Sequence, residues 1–120
     1  MTAKTIILTR PISDNDSLAH SLQQDGIQLI SFPTIGIEYV KTDITVEGFS
    51  HIVFTSQHGV HGFFENLNEQ LHDNVKLCCI GKKTAQVLEH YCFKSKIVSN
   101  NETAEDFALE LIKHISPNDN

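Results

Sequence analysis

Residues 51–60 read HIVFTSQHGV. His51 to Thr55 is a short run rich in β-branched and aromatic residues, too brief for a helix, and it predicts a buried strand. Ser56-Gln57-His58-Gly59 breaks that run. Val60, Phe63, Phe64, Leu67 and Leu71 then recur at helical spacing. A strand that passes through a hydroxyl-bearing turn into an amphipathic helix is the building unit of a parallel sheet covered by helices.

The unit repeats on both sides. Toward the N-terminus, Thr5 to Thr9 (TIILT) reads as a buried strand bounded by Arg10-Pro11. Ser13 or Asp14 would cap a helix with Leu18, Ala19 and Leu22 on its apolar stripe, and Gly26 would end it. Ile27 to Phe32 resumes as a strand, Pro33 interrupts it, and Thr34 to Val40 alternates as an extended crossover. Lys41 to Phe49 carries no helical pattern and reads as a connector. Toward the C-terminus, Lys76 to Ile80 (KLCCI) is a strand stopped by Gly81, and a helix from Lys82 runs through Ala85, Leu88 and Tyr91. Lys96 to Val98 is a short strand. Thr103 with Asp106 forms a capping box for a helix expected to turn Phe107, Ala108, Leu111, Ile112 and Ile115 inward, before a polar tail. The expected fold is α/β and flavodoxin-like: one parallel sheet of about five strands with helices on both faces. Its expected parts are a strand–helix–strand arm (1–33), an extended crossover (34–49) and a βαβαβα body (50–120).

Composition bounds the function. The chain has 120 residues, 40% hydrophobic and 20% charged, which suits one soluble domain and contains no run of the length a membrane-spanning helix needs. A net charge of −6, with Arg10 the only arginine, argues against a nucleic-acid partner. Met1 to Lys4 lacks a secretory pattern, so a cytoplasmic location is expected. Cys78, Cys79 and Cys92 then read as free thiols, the first two pointing to opposite faces of one strand.

In parallel sheets ligands bind at the carboxyl ends of strands. The turns found there hold Arg10, Thr55-Ser56, Gly81-Lys82-Lys83-Thr84 and Ser99 to Thr103, rich in hydroxyls, amides and glycine and poor in carboxylates. Such turns hold anions better than they move protons, because helix N-termini present free N–H groups and a positive dipole end. Between Lys76 and Lys96 five lysines face one glutamate, although only Lys82 and Lys83 fall at a carboxyl end. Each hydroxyl also has an ordinary role as a helix cap, which does not exclude ligand contact. His58 and His61 have metal-chelating spacing, but zinc needs a further ligand, and solvent-facing histidines are the plainer reading. A receiver domain would need acidic residues where Thr9-Arg10 and Thr55-Ser56 stand. A flavin binder would need glycine in Arg10-Pro11-Ile12-Ser13, and no dinucleotide or triphosphate motif occurs.

Taken in order, Ile7-Leu8-Thr9-Arg10-Pro11, Phe32-Pro33-Thr34-Ile35-Gly36-Ile37, Phe54-Thr55-Ser56-Gln57-His58-Gly59-Val60 and Ile80-Gly81 with Thr84-Ala85 resemble the uroporphyrinogen-III synthase family. The resemblance covers residues 6 to 112 and the first half of the family's length. It implies cyclisation of hydroxymethylbilane, with ring D inverted, in tetrapyrrole (heme) biosynthesis, and no metal or organic cofactor. The substrate class it implies is a polycarboxylate tetrapyrrole. It further implies a duplicated chain whose halves exchange strand–helix–strand segments to build two domains across a cleft. Carried onto this sequence, the substrate-binding candidates are Arg10, Thr55, Ser56, Gly81, Lys82 and Thr84, with no catalytic residue assigned. The tyrosine of the family's second half is missing at Phe32-Pro33-Thr34, and the glycine usual after the fourth-strand helix is missing near Phe93. The expectations left open are an enzyme completed by a second copy in a segment-swapped homodimer, and a non-catalytic remnant that folds and binds anions.

Overall fold

The computed structural model describes residues 4–11, 16–100 and 103–119. By contact clustering the chain forms two compact units, Met1–Glu38 and Tyr39–Asn120. In the first, the run expected to be a strand forms β1 (Thr5–Leu8), followed by α1 (Asp16–Gln24) and β2 (Gln28–Ser31). The strands are parallel, with Thr5 opposite Gln28 and Leu8 opposite Ser31. The cap expected at Ser13 or Asp14 lies outside the described residues. Gly26, at φ 71°, stops α1 as expected. Its N–H donates to Gln23 O and that of Ile27 to Leu22 O, which satisfies carbonyls the helix leaves open.

The first strand is not buried as expected. Ile7 is 59% exposed and Ile6 is exposed as well. The physical reason is the sheet's size: β1 and β2 form a two-stranded sheet of their own, and one helix cannot cover both faces. The single five-stranded sheet is corrected accordingly to parallel sheets of two and three strands.

The second unit contains β3 (His51–Phe54), α2 (Gln57–Asn66), β4 (Lys76–Ile80), α3 (Lys82–His90), β5 (Ile97–Ser99) and α4 (Ala104–Ile112). Its sheet runs β3-β4-β5, all parallel, with Val53 opposite Cys78 and Cys78 opposite Ile97. Strand side chains alternate between faces, and β4 shows what this does. Leu77 and Cys79 join Phe54, Val60 and Leu88 in the core under α2 and α3. Cys78 points the other way, onto Ile97 and Phe107 of α4. Burial, reinforced by the neighbouring Cys79, pushes the Cys78 thiol up to about 11. Burial raises Cys79 as well.

α4 is less covered than its pattern suggests. Thr103 caps it, accepting from the Asp106 N–H, and Phe107 is buried with Leu111 packed beside it. Ala108, Ile112 and Ile115, expected inward, are exposed, Ile112 by 67%. A three-stranded sheet offers α4 a strip wide enough for Phe107 and Leu111, and the next stripe of the helix has no surface to meet.

No helix forms in the connector. It is held instead by Asn66 at the end of α2, whose Nδ2 donates to Val40 O (3.0 Å) and Gly62 O (2.8 Å). The Asn66 Oδ1 accepts from the Thr42 N–H at 2.9 Å. Val46 then reaches the core. After α3 the chain turns through Cys92 at φ 65°. Cys92, one residue before Phe93, is a non-glycine residue in the left-handed region.

Candidate functional site

Because β3 and β4 are parallel neighbours, their carboxyl ends lie side by side, with Phe54 opposite Cys79. Thr55-Ser56 therefore borders Gly81-Lys82 at one end of the sheet. The turn after β5 joins them, since the Gly81 N–H donates to Ser99 O at 2.9 Å. A cleft of about 530 Å³ opens here, lined by Ile80, Gly81, Lys82, Lys83, Thr84 and Asn100.

The helix starts differ. Ser56 is extended, at φ −154°, and its Oγ accepts from the Gly59 N–H at 3.0 Å, so this hydroxyl is engaged as a cap. α3 begins at Gly81, with φ 82° and ψ 148°, and has no side-chain cap. Its first turn contains no acidic residue and carries exposed Lys82 and Lys83. Free N–H groups, the helix dipole and two ammonium groups all favour an anion there. Of the residues singled out from sequence, Gly81, Lys82 and Thr84 come together in the cleft. Thr84 is only 5% exposed and packs largely inward. Thr55 and Ser56 follow β3, one strand over, and do not line the cleft, and exposed Arg10 belongs to the Met1–Glu38 unit. Lys83 and Asn100 complete the lining; Lys83 stands three residues past the end of β4, and Asn100 directly follows β5.

The histidines are not solvent-facing. His58 and His61 are half-buried. His58 Nδ1 lies 3.3 Å from the Tyr39 hydroxyl, and His61 Nδ1 lies 2.8 Å from that of Tyr91. The Tyr91 ring stacks on Phe64 with centroids 4.5 Å apart. Tyr39 lies so close to Gly62 that a Cβ added there would stand 3.2 Å from its ring. These four polar rings fasten the connector and α3 to α2. Among the described residues no group of three metal-binding side chains forms.

The family model described as uroporphyrinogen-III synthase HemD matches residues 16–120. The chain belongs to the uroporphyrinogen-III synthase family. A protein of Methanocaldococcus jannaschii that carries the provisional name uroporphyrinogen-III synthase is 34% identical over 115 residues, covering 92% of this chain and 48% of its own length. The uroporphyrinogen-III synthase of Chlorobaculum parvum is 33% identical over 98 residues, covering 73% of this chain and 39% of its own. The crystal structure of the Helicobacter pylori uroporphyrinogen-III synthetase superposes with a TM-score of 0.61 at 19% identity, covering 90% of this chain and 54% of that one. That likeness shows the shared fold. The chain thus spans about half the length of the synthases it resembles, and among its described residues no helix is long and apolar enough to cross a membrane.

Proposed function

We propose that the chain acts as one half of a hydroxymethylbilane-cyclising uroporphyrinogen-III synthase in the cytoplasm, holding a carboxylate-rich linear tetrapyrrole at the carboxyl ends of β3, β4 and β5. The observation that carries this reading is the uncapped start of α3, flanked by Lys82 and Lys83 in a cleft, in a chain of this family. Ring closure with ring D inverted demands that a flexible chain be bent so that its two ends meet, and that charge developing as water leaves be stabilised. Both are tasks for fixed donors. Here the N–H groups of the first turn of α3 fix one carboxylate. Lys82 and Lys83 add charge at the mouth, and the Thr55 hydroxyl stands one strand away. Arg10 would contribute from the arm of a second copy in a segment-swapped homodimer, which supplies the second half-site.

The missing tyrosine at Phe32-Pro33-Thr34 favours slow turnover, and a binding module without turnover is the second reading. Calorimetric titration with uroporphyrin, an octacarboxylate, tests the site. Lys82→Glu should weaken binding, more at low salt than at high, because exposed charges are screened within about 10 Å at 0.1 M salt. Equal affinity in both proteins would remove Lys82 from the site. A coupled assay with hydroxymethylbilane separates the two readings: III isomer above the spontaneous background supports the enzyme, and background alone supports the module.

A further inference from the structure

The first turn of α3 holds a hydroxyl that no other described residue uses. Thr84 is 5% exposed, yet its side chain makes no hydrogen bond among the described residues. A threonine inside a helix commonly turns its hydroxyl back onto the carbonyl four residues earlier, which Thr84 does not do. Among the described residues the one fully occluded polar side-chain atom without a partner is His51 Nε2, at the amino end of β3. The Thr84 hydroxyl is thus unpartnered without being sealed in, and the surface that Thr84 lines is the cleft.

The surroundings of this hydroxyl are donors. A helix start leaves its first N–H groups open. That of Gly81 donates to Ser99 O, which leaves those of Lys82, Lys83 and Thr84, with no side-chain cap to receive them. Lys82 and Lys83 add two ammonium groups, Asn100 lines the cleft from the end of β5, and no carboxylate lines it, in a chain whose net charge is −6. The N–H groups point along the helix axis, while the hydroxyl stands on the helix wall. A planar carboxylate, with its two oxygens, meets one such direction well. A tetrahedral oxyanion spreads its oxygens over several. A strand, a glycine turn and an open helix start are the parts that seat phosphate groups in other folds. Here the turn is a single glycine, too short to wrap a triphosphate, so one phosphate group is what fits.

We infer that the start of α3 also seats inorganic phosphate, held by the N–H groups of Lys82, Lys83 and Thr84 and by the Thr84 hydroxyl, so that phosphate competes with the carboxylate assigned to this place. The competition rests on the proposed function; the phosphate seat stands on the free hydroxyl and the uncapped turn.

Amide spectra of the isotope-labelled full chain, titrated with sodium phosphate against sodium chloride at constant ionic strength, test the seat without any tetrapyrrole, since screening is then the same in both arms. The Lys83 and Thr84 resonances should move saturably with phosphate and stay in place with chloride. Thr84→Val keeps the shape of the side chain and removes the hydroxyl, and should weaken phosphate by about tenfold, the usual size of one hydrogen bond to a charged group. Thr84→Ser restores the hydroxyl and should bind as the wild type does. Thr84→Ala takes the place of Thr84→Val if circular dichroism shows the latter unfolded. Calorimetry with uroporphyrin then reads the competition: its apparent affinity should fall as phosphate replaces chloride, in proportion to the occupancy of the seat. Amides that ignore phosphate overturn the inference, and so does a variant without the hydroxyl that binds phosphate like the wild type. Phosphate that binds but leaves uroporphyrin affinity unchanged overturns the competition. Amides that move with phosphate in a protein that takes up no uroporphyrin in either salt support the seat and overturn the carboxylate reading instead.

Discussion

Gly81→Ala probes the entry to α3 without adding a steric clash. A Cβ at Gly81 would meet no atom within 4 Å, so any cost arises in the backbone. With φ 82° and ψ 148°, Gly81 sits near a region open almost only to glycine, where another residue pays about 1–3 kcal/mol. Replacing glycine by alanine also stiffens the unfolded chain, which offsets about 0.4–1 kcal/mol. The expected net loss is about 1–2 kcal/mol, with the Gly81 to Ser99 hydrogen bond strained or lost. The chain has no tryptophan, and its two tyrosines, Tyr39 and Tyr91, lie in the second unit. Tyrosine fluorescence during urea unfolding therefore reports on the unit that contains the substitution. The midpoint should fall with the slope unchanged, which marks a loss of stability rather than of compactness. Uroporphyrin affinity should fall with it. A midpoint and affinity equal to the wild type would mean that the turn does not hold this positive φ, and the account of an anion-ready helix start would fail with it.

Cys92→Gly should stabilise the protein by about 0.5–1 kcal/mol, since a left-handed non-glycine residue costs about 1–2 kcal/mol and glycine returns part of that as entropy; the urea midpoint measures it. Asn66→Ala leaves the Thr42 N–H and the Val40 carbonyl without this side chain, should cost about 2 kcal/mol, and should speed cleavage after Lys41 by a lysine-specific protease. In the folded protein at pH 8, a thiol reagent should label exposed Cys92 quickly and reach Cys78 and Cys79 only after unfolding. Burial favours the neutral Cys78 thiol, so its contribution to stability is complete below pH 9.0 and lost as pH rises through about 11; alkaline titration of the urea midpoint should fall across that window.

The order of strands and helices was legible because period 2 and period 3.6 are written directly in runs such as HIVFT and in the Val60, Phe63, Phe64, Leu67 series. Cys78 and Cys79 facing opposite cores follows from the same alternation. Burial was less legible. Apolar spacing says which side of an element seeks cover, while the neighbour that gives cover comes from elsewhere, and Ile7 and Ile112 have none among the described residues of a two- and a three-stranded sheet. His58 and His61 looked solvent-facing because the hydroxyls that hold them stand 19 and 30 residues away in sequence. The burial of Thr84 is legible too: it lies four residues before Leu88 and so shares that residue's buried stripe. Gly81 needed only its place between a strand and a helix with no Ser, Thr, Asp or Asn at the cap.

The three helix starts of the second unit carry a thermodynamic consequence. Ser56 closes α2 and Thr103 closes α4, a contribution of about 1 kcal/mol each, while α3 is left to open and close its first turn in water. Deuterium should enter the amides of Lys83 and Thr84 sooner than those of Gly59 and Asp106. A carboxylate seated at Gly81, as the proposed function has it, would take the place of the absent cap, and by mass action its affinity would appear as added stability that grows with the logarithm of its concentration. On the proposed function, the melting temperature of the chain then gauges which polycarboxylates fit the start of α3, readable without any turnover.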